Sequence, residues 1–260
     1  MSAARAAGSA MFPGSPGEAP GPGPRPARYR TVALATALVG WSFTAGLQHP
    51  WRRHPVAQAA LGTLLAVAAR APLGLRPPQA GTGLRLGSSV AGLVAAGVAA
   101  GSMLPGVRGA MAERELPDRP GHWLVVEIPI GTVWSEETAF RGGLASVAAA
   151  GFGRTVGRLV QAVTFGLSHI PDARETGAPI LGTIAVTGLA GWVFGLLGER
   201  SGSLLAPMLA HLAINEAGAI AALVVQRRRA YRVSGRDRSD IDDRHRRCGV
   251  YGAALAFGQR

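Results

Sequence analysis

Val125–Ala150, VVEIPIGTVWSEETAFRGGLASVAAA, is an apolar run broken in its middle by Glu136, Glu137 and Arg141. An ionisable side chain in hydrocarbon is costly unless it is paired or faces a wet cavity, and such groups mark functional sites in membrane segments. The run is too long and too apolar at its flanks to be anything but helical. An α-helix puts Glu137 and Arg141, spaced i, i+4, on one face and turns Glu136 about 100° away around the axis. An ion pair that only locks helix packing accounts for Glu137 with Arg141; it leaves Glu136 unexplained.

The composition around this run is that of a membrane protein. Of 260 residues 48% are hydrophobic and 16% charged, with a mean hydropathy of +0.21; a soluble domain carries about 25% charged residues. Apolarity comes from Ala, Leu, Val and 37 Gly, which suits helices packed through small side chains. The net charge of +12 is carried by Arg alone, as in a GC-rich coding sequence, and most Arg residues lie between apolar stretches. The one basic run, Arg227, Arg228, Arg229, Arg232, Arg236 and Arg238, follows directly on an apolar segment. It reads as a juxtamembrane anchor for anionic headgroups, and a nucleic-acid partner is set aside. A single cysteine, Cys248, in the polar tail excludes an intrachain disulfide and a Cys-based zinc site. The apolar run after Arg30 has no small-residue cleavage site and reads as a retained first helix.

The fold class expected is all-α, a polytopic transmembrane helical bundle of about seven spans (six to eight). Residues 1–28 are Pro- and Gly-rich and read as a disordered N-terminal segment. Residues 29–226 form the helical core, with the motif-bearing region at 122–220, and 227–260 read as an Arg-rich, flexible C-terminal tail. Apolar stretches fall at 31–48, 55–70, 86–105, 122–150, 155–171, 179–198 and 202–226, separated by Pro- and Arg-bearing linkers. Arg25, Arg28 and Arg30 place the N-terminus in the cytoplasm. An odd number of spans would then put the Arg-rich tail outside, so either a span is miscounted or the short stretch 55–70 does not cross.

Two of the six histidines, His169 and His211, are embedded in apolar sequence; His49, His54, His122 and His245 fall in linkers, helix entries or the tail. Phe165 and His169 are i, i+4 at the end of a helix stopped by Pro171. His211 and Asn215 share a face of the last apolar helix, and Pro207, four residues earlier, is expected to weaken and bend it. Glu127 and Glu216 stand apart as rim or pairing residues.

Glu136, His169, His211 and Asn215 supply what peptide hydrolysis inside a membrane needs. A carboxylate and an imidazole hold a water and take its proton, and imidazole and amide donors stabilise the oxyanion. The same chain offers a zinc alternative with Glu136, His169 and His211 as ligands and an open position for water, so the cofactor is either Zn²⁺ or none. No H-E-x-x-H, Asp pair or Gly-x-Ser-x-Gly is present. Two other classes fit the polar residues: a transporter or proton relay, and a non-catalytic membrane scaffold.

Glu136-Glu137-x-x-x-Arg141, Phe165-x-x-x-His169 and His211-x-x-x-Asn215, in this order on three successive helices, resemble the three motifs of the CAAX protease and bacteriocin-processing (CPBP or Abi) family of intramembrane peptidases. Ile128-Pro129-Ile130-Gly131-Thr132 before the double Glu, Phe140-Arg141-Gly142 after it, and Gly202–Pro207 leading to His211 agree with that resemblance, which covers about residues 122–220. It implies a multi-helix membrane core and an endopeptidase site of Glu136, Glu137, Arg141, His169, His211 and Asn215. Within that site the water is activated at Glu136 and His169, and the oxyanion is held at His211 and Asn215. The family includes members described as metalloproteases and as glutamate-dependent enzymes, so both cofactor alternatives remain. The implied partners are a peptide or membrane-protein substrate and the lipid bilayer, and the implied location is a bacterial plasma membrane, as a multi-pass protein.

Overall fold

In a computed structural model of the chain, residues 24–44 and 50–256 are described, with side chains described as far as Tyr231. Most of the N-terminal segment, His49, His245, Cys248 and the Arg-rich tail beyond Tyr231 therefore lie outside the described residues or side chains. Among the described residues there are helices and no strands.

Each apolar stretch becomes a helix. These are α1 (Pro24–Phe43), the single turn α2 (Pro50–Arg53), α3 (Pro55–Ala68), α4 (Gln79–Gly101), α5 (Pro105–Glu113) and the short α6 (Pro120–His122). The chain then runs on without a break through two π-helical segments, Trp123–Trp134 and Glu137–Leu144, into α7 (Ala145–Phe152). It closes with α8 (Arg154–Ser168), α9 (Ile170–Thr176), α10 (Ile180–Ser201) and α11 (Leu205–Ala256).

Three helices have the length and hydropathy of a membrane crossing: α4, α10 and the Leu205–Tyr231 part of α11. Only 11%, 22% and 28% of their most apolar windows are buried. Apolar side chains thus point outward, among them Leu93, Leu181, Val186 and Leu189, while Glu137, Arg141, Gln161 and His211 are buried inside. That inversion has no use in water and is what a lipid solvent selects. The other helices do not meet the criterion unaided. At about 1.5 Å per residue, α3 with 14 residues and α8 with 15 are shorter than the hydrocarbon layer, whereas the Pro120–Phe152 rod is long enough but carries Glu127, Glu136, Glu137 and Arg141.

The rod bearing the double Glu is helical as expected, but it is wound as a π-helix over most of its length, not as a regular α-helix. Its sequence weakens the α ladder in several places. Pro129 contributes no N–H. The Ser135 hydroxyl donates to the carbonyls of Gly131 and Thr132, and the Thr138 hydroxyl to those of Trp134 and Ser135. Side-chain donors that occupy carbonyls of the preceding turn loosen and bend a helix, and π segments concentrate at functional sites. The i, i+4 pairing of Glu137 with Arg141 survives the wider winding.

Pro207 does not act as anticipated. Because α11 starts at Leu205, Pro207 falls in its first turn, where backbone N–H groups have no intrahelical acceptor and a proline removes nothing. The Ser203 hydroxyl accepts from the Leu205 N–H and completes the start of the helix.

The Glu-bearing rod packs against α3, α8 against α7 and α10, and α11 against α4 and α10. α3 comes so close that a Cβ added at Gly62 would lie 2.4 Å from the Ser135 carbonyl oxygen. Leu38, Phe140, Leu144 and Phe165 form one hydrophobic cluster at the centre of this packing.

Candidate active site

The first element of the candidate site is the π-helical rod. Glu137 is wholly buried, whereas the side chain of Glu136 keeps 29% exposure. The two acids face different surroundings, as their one-residue offset requires. Glu137 Oε1 lies 3.1 Å from Arg141 Nη1. The Arg141 guanidinium is stacked 4.0 Å from the Phe165 ring centroid and 5.0 Å from that of Phe194, which fixes the cation by cation–π attraction on both rings.

α11 supplies His211. Its Nδ1 is 2.8 Å from Glu137 Oε1, and its ring stacks on Phe194 at 5.1 Å. A carboxylate beside a guanidinium is an acceptor, so His211 Nδ1–H donates to Glu137, and Nε2 carries the lone pair. That Nε2 is 3.9 Å from Glu136 Oε2. A chain Arg141–Glu137–His211 results, with Glu136 facing its far end beyond hydrogen-bond distance. Sequence spacing revealed its first link; the bond from Glu137 to His211, 74 residues away, comes only from the fold.

His169 sits at the corner where α8 ends and α9 begins, with φ −93° and ψ 5°, and Pro171 opens α9 just after it. Backbone in this region is sparsely populated and recurs at active sites. Its Nδ1 lies 2.8 Å from the Phe165 carbonyl oxygen. A carbonyl only accepts, so Nδ1 carries the hydrogen and Nε2 is the free nitrogen. The ring packs edge-on against Phe165 at 4.6 Å, and Phe165 also meets the His211 ring edge at 6.1 Å. One aromatic ring therefore spaces both imidazoles and the arginine.

Glu136 and His169 line one pocket of about 250 Å³ between α1, α3, the rod and the α8–α9 corner. Asp172, Arg52 and Gln58 line it too and were not singled out from the sequence, where Asp172 reads as part of a Pro-Asp helix breaker. Asp172 lies three residues beyond His169, a spacing that could have drawn attention to it. Burial pushes its carboxyl above the ordinary aspartate range, with His169 opposing the shift and Glu136 adding to it. Arg52 is held over the Trp41 ring at 4.2 Å, with Nη2 donating to the Trp41 carbonyl at 2.7 Å.

Asn215 lies a turn beyond His211, half-buried, and no hydrogen bond joins it to the acid–imidazole cluster among the described residues. Glu127 pairs with His122 at 3.0 Å on the surface, as a pairing residue should. The zinc alternative was Glu136, His169 and His211. Among the described residues no three His, Cys, Asp or Glu side chains come together closely enough to hold an ion. As arranged, the three side chains do not form a closed ligand set for a zinc ion.

An outward apolar surface around an enclosed acid–imidazole cluster defines a membrane helical bundle. Residues 119–217, under half of the chain, match the family model described as Type II CAAX prenyl endopeptidase Rce1-like. The segment that carries all three motifs is thus similar to the family those motifs resemble, one of intramembrane proteases. Comparison with curated proteins and comparison with solved structures each gave no match.

Proposed function

We propose that the protein is an intramembrane endopeptidase that hydrolyses a peptide bond of a peptide or membrane-protein substrate, as a multi-pass protein of a bacterial plasma membrane, with Glu136 as the base. The observation that carries this reading is the placement of the Glu136 carboxylate. It is the open member of the acid pair, shares a pocket with His169, and lies 3.9 Å from a nitrogen of His211 whose lone pair faces it.

A water held between the Glu136 carboxylate and His169 Nε2 presents its oxygen to the scissile carbonyl carbon. As the C–O bond forms, Glu136 takes one proton and the carbonyl oxygen becomes an oxyanion. The proton passes to His211 Nε2, and the imidazolium so formed is stabilised through Nδ1–H by Glu137, which Arg141 holds in place. This is the role a buried carboxylate plays behind a catalytic histidine. His211, now a donor at Nε2, stabilises the oxyanion or gives the proton to the departing amine as the C–N bond breaks. Glu137 and Arg141 act through His211 as positioning residues. Asn215 extends the donor face along α11, where a substrate carbonyl lying beside that helix would meet it.

Purified protein in detergent or liposomes, incubated with a library of peptides and of transmembrane peptide segments, tests this reading. Cleavage by the wild type that is lost in Glu136→Gln, His169→Ala and His211→Ala supports it. Cleavage that persists in Glu136→Gln overturns the assignment of the base.

A further inference from the structure

The opposite side of the Glu-bearing rod opens on a second cavity of about 550 Å³, framed by the rod, α8, α10 and the turns at Gly74 and Gly202. Its character is the reverse of the catalytic pocket. Arg154, Arg158 and Gln161 line it from α8 at i, i+4 and i+7, so one face of that helix carries all three, and Arg141 reaches it from the rod. Glu199 is the one acid in its wall, bound to Arg158 at 2.5 Å. Glu137 accounts for part of the Arg141 charge from behind. Arg154 is exposed and has no ion-pair partner among the described residues.

Donor groups remain in excess of acceptors. Gln161 is completely buried, and neither atom of its side-chain amide has a hydrogen-bond partner among the described residues. The same holds for Arg158 Nε and for all three guanidinium nitrogens of Arg141, whose approach to Glu137 is close but not aligned as a hydrogen bond. Leaving a buried amide or guanidinium unsatisfied is costly, so a wall with this many unmatched donors is suited to a ligand rich in acceptors. The backbone makes room for them: a Cβ at Gly195 would come within 3.0 Å of Arg158 Cγ and 3.1 Å of Gln161 Oε1. The Arg158 guanidinium also lies 5.2 Å from the Trp192 ring, which is partly exposed on the apolar outer surface of α10. The cavity therefore borders the surface that meets acyl chains.

We propose that the cavity of Arg141, Arg154, Arg158 and Gln161 is a binding site for a phosphate oxyanion. Guanidinium groups match phosphate oxygens in bidentate geometry, and the Gln161 amide N–H₂ adds a neutral donor. The volume exceeds that of the phosphate alone and takes a glycerophosphate group, the chemistry shared by an anionic phospholipid headgroup and a free phosphate ester. Basic pockets between membrane helices hold phospholipid headgroups in this way. The site stands on its own geometry and does not depend on the proteolytic reading.

The full-length protein in phosphatidylcholine nanodiscs is titrated with phosphatidylglycerol, and separately in detergent with sn-glycerol 3-phosphate and with inorganic phosphate. Bound ligand is counted by native mass spectrometry, and the thermal midpoint is followed. Saturable binding of at least one probe, weakened about tenfold or more in Arg154→Gln and in Gln161→Leu, is expected. Arg154 is exposed, so its variant folds even if the Gln161 variant does not. Binding of phosphatidylglycerol alone identifies a lipid headgroup as the source; binding of the soluble probes as well identifies a site that reads phosphate whatever carries it. The proposal fails if no probe binds saturably, if acetate competes as well as phosphate, or if the Arg154 variant binds like the wild type.

Discussion

The two faces of the rod at Glu136–Arg141 are opposite in charge and in finish. On the Glu136 side the donors are engaged: both imidazoles use Nδ1–H, and Arg52 and Gln58 are tied to neighbouring backbone, which leaves one carboxylate oxygen each of Glu136 and Glu137 without a hydrogen-bond partner among the described residues. On the Arg141 side donors outnumber acceptors. One helix thus separates a pre-organised acid–imidazole pocket, suited to chemistry, from a basic cavity suited to holding an anion. The Arg141–Glu137–His211 chain is the only polar link described between them. The difference shows that an intramembrane charge cluster need not face a single cavity: Glu137 is buried between the two, and Arg141 contributes to the wall of the basic one.

The comparison breaks most visibly if the two adjacent acids prove interchangeable. Glu136→Gln is expected to lower peptide cleavage by about 10²–10⁴-fold, the range of a lost general base, with little change in thermal midpoint, since that carboxylate is partly open. Glu137→Gln is expected to do both kinds of damage. Removing one member of a buried ion pair leaves the other uncompensated and costs about 3–5 kcal/mol, here with Arg141 stranded between Phe165 and Phe194. The double change Glu137→Gln with Arg141→Met is expected to recover stability without recovering activity, measured as denaturant midpoint against cleavage rate. Equal loss of stability in the two single variants would contradict the separation of faces.

How far the sequence carries this can be seen residue by residue. Glu137 with Arg141, the corner at His169 before Pro171, and the outward apolar faces follow from local spacing and hydropathy, because each is decided within a turn or two of helix. The Glu137–His211 bond and the pocket shared by Glu136 and His169 depend on how distant helices dock, which the ordered motifs hinted at only through resemblance. Local chemistry misled at Pro207, which sits in a first turn and bends nothing, and at the rod itself, where Pro129 and the Ser135 and Thr138 hydroxyls favour π winding over the α-helix that periodicity suggests. The basic cavity was illegible because Arg154 and Arg158 look like ordinary helix-flanking arginines until α10 closes over them.

A smaller effect tests the packing that holds the Glu136 face in register. The 2.4 Å approach from a Cβ at Gly62 to the Ser135 carbonyl oxygen leaves no room for a methyl group. Gly62→Ala is expected to cost about 1–3 kcal/mol, as overpacking does, and to lower cleavage by displacing Glu136, one residue along. A control at Gly92, where an added Cβ meets nothing within 4 Å, is expected to change neither. Thermal midpoints and cleavage rates of the two variants give the comparison directly.

The smallest effect is a pH dependence at the mouth of the pocket shared by Glu136 and His169. Asp172 has its carboxyl raised above the ordinary value of 3.8 by burial first, with His169 opposing and Glu136 reinforcing. For an acid shifted upward, the folded state binds the proton more tightly than the unfolded state. Its contribution to stability is complete below the ordinary aspartate range and is lost as the pH rises through the raised value. The Asp172→Asn variant cannot ionise, so its thermal midpoint should lack that decline, and the gap between the variant and wild type should widen in the variant's favour as pH rises from about 4 toward neutrality. Parallel profiles across that window would mean that Asp172 ionises without hindrance, and that the pocket mouth is as open to water as an ordinary surface.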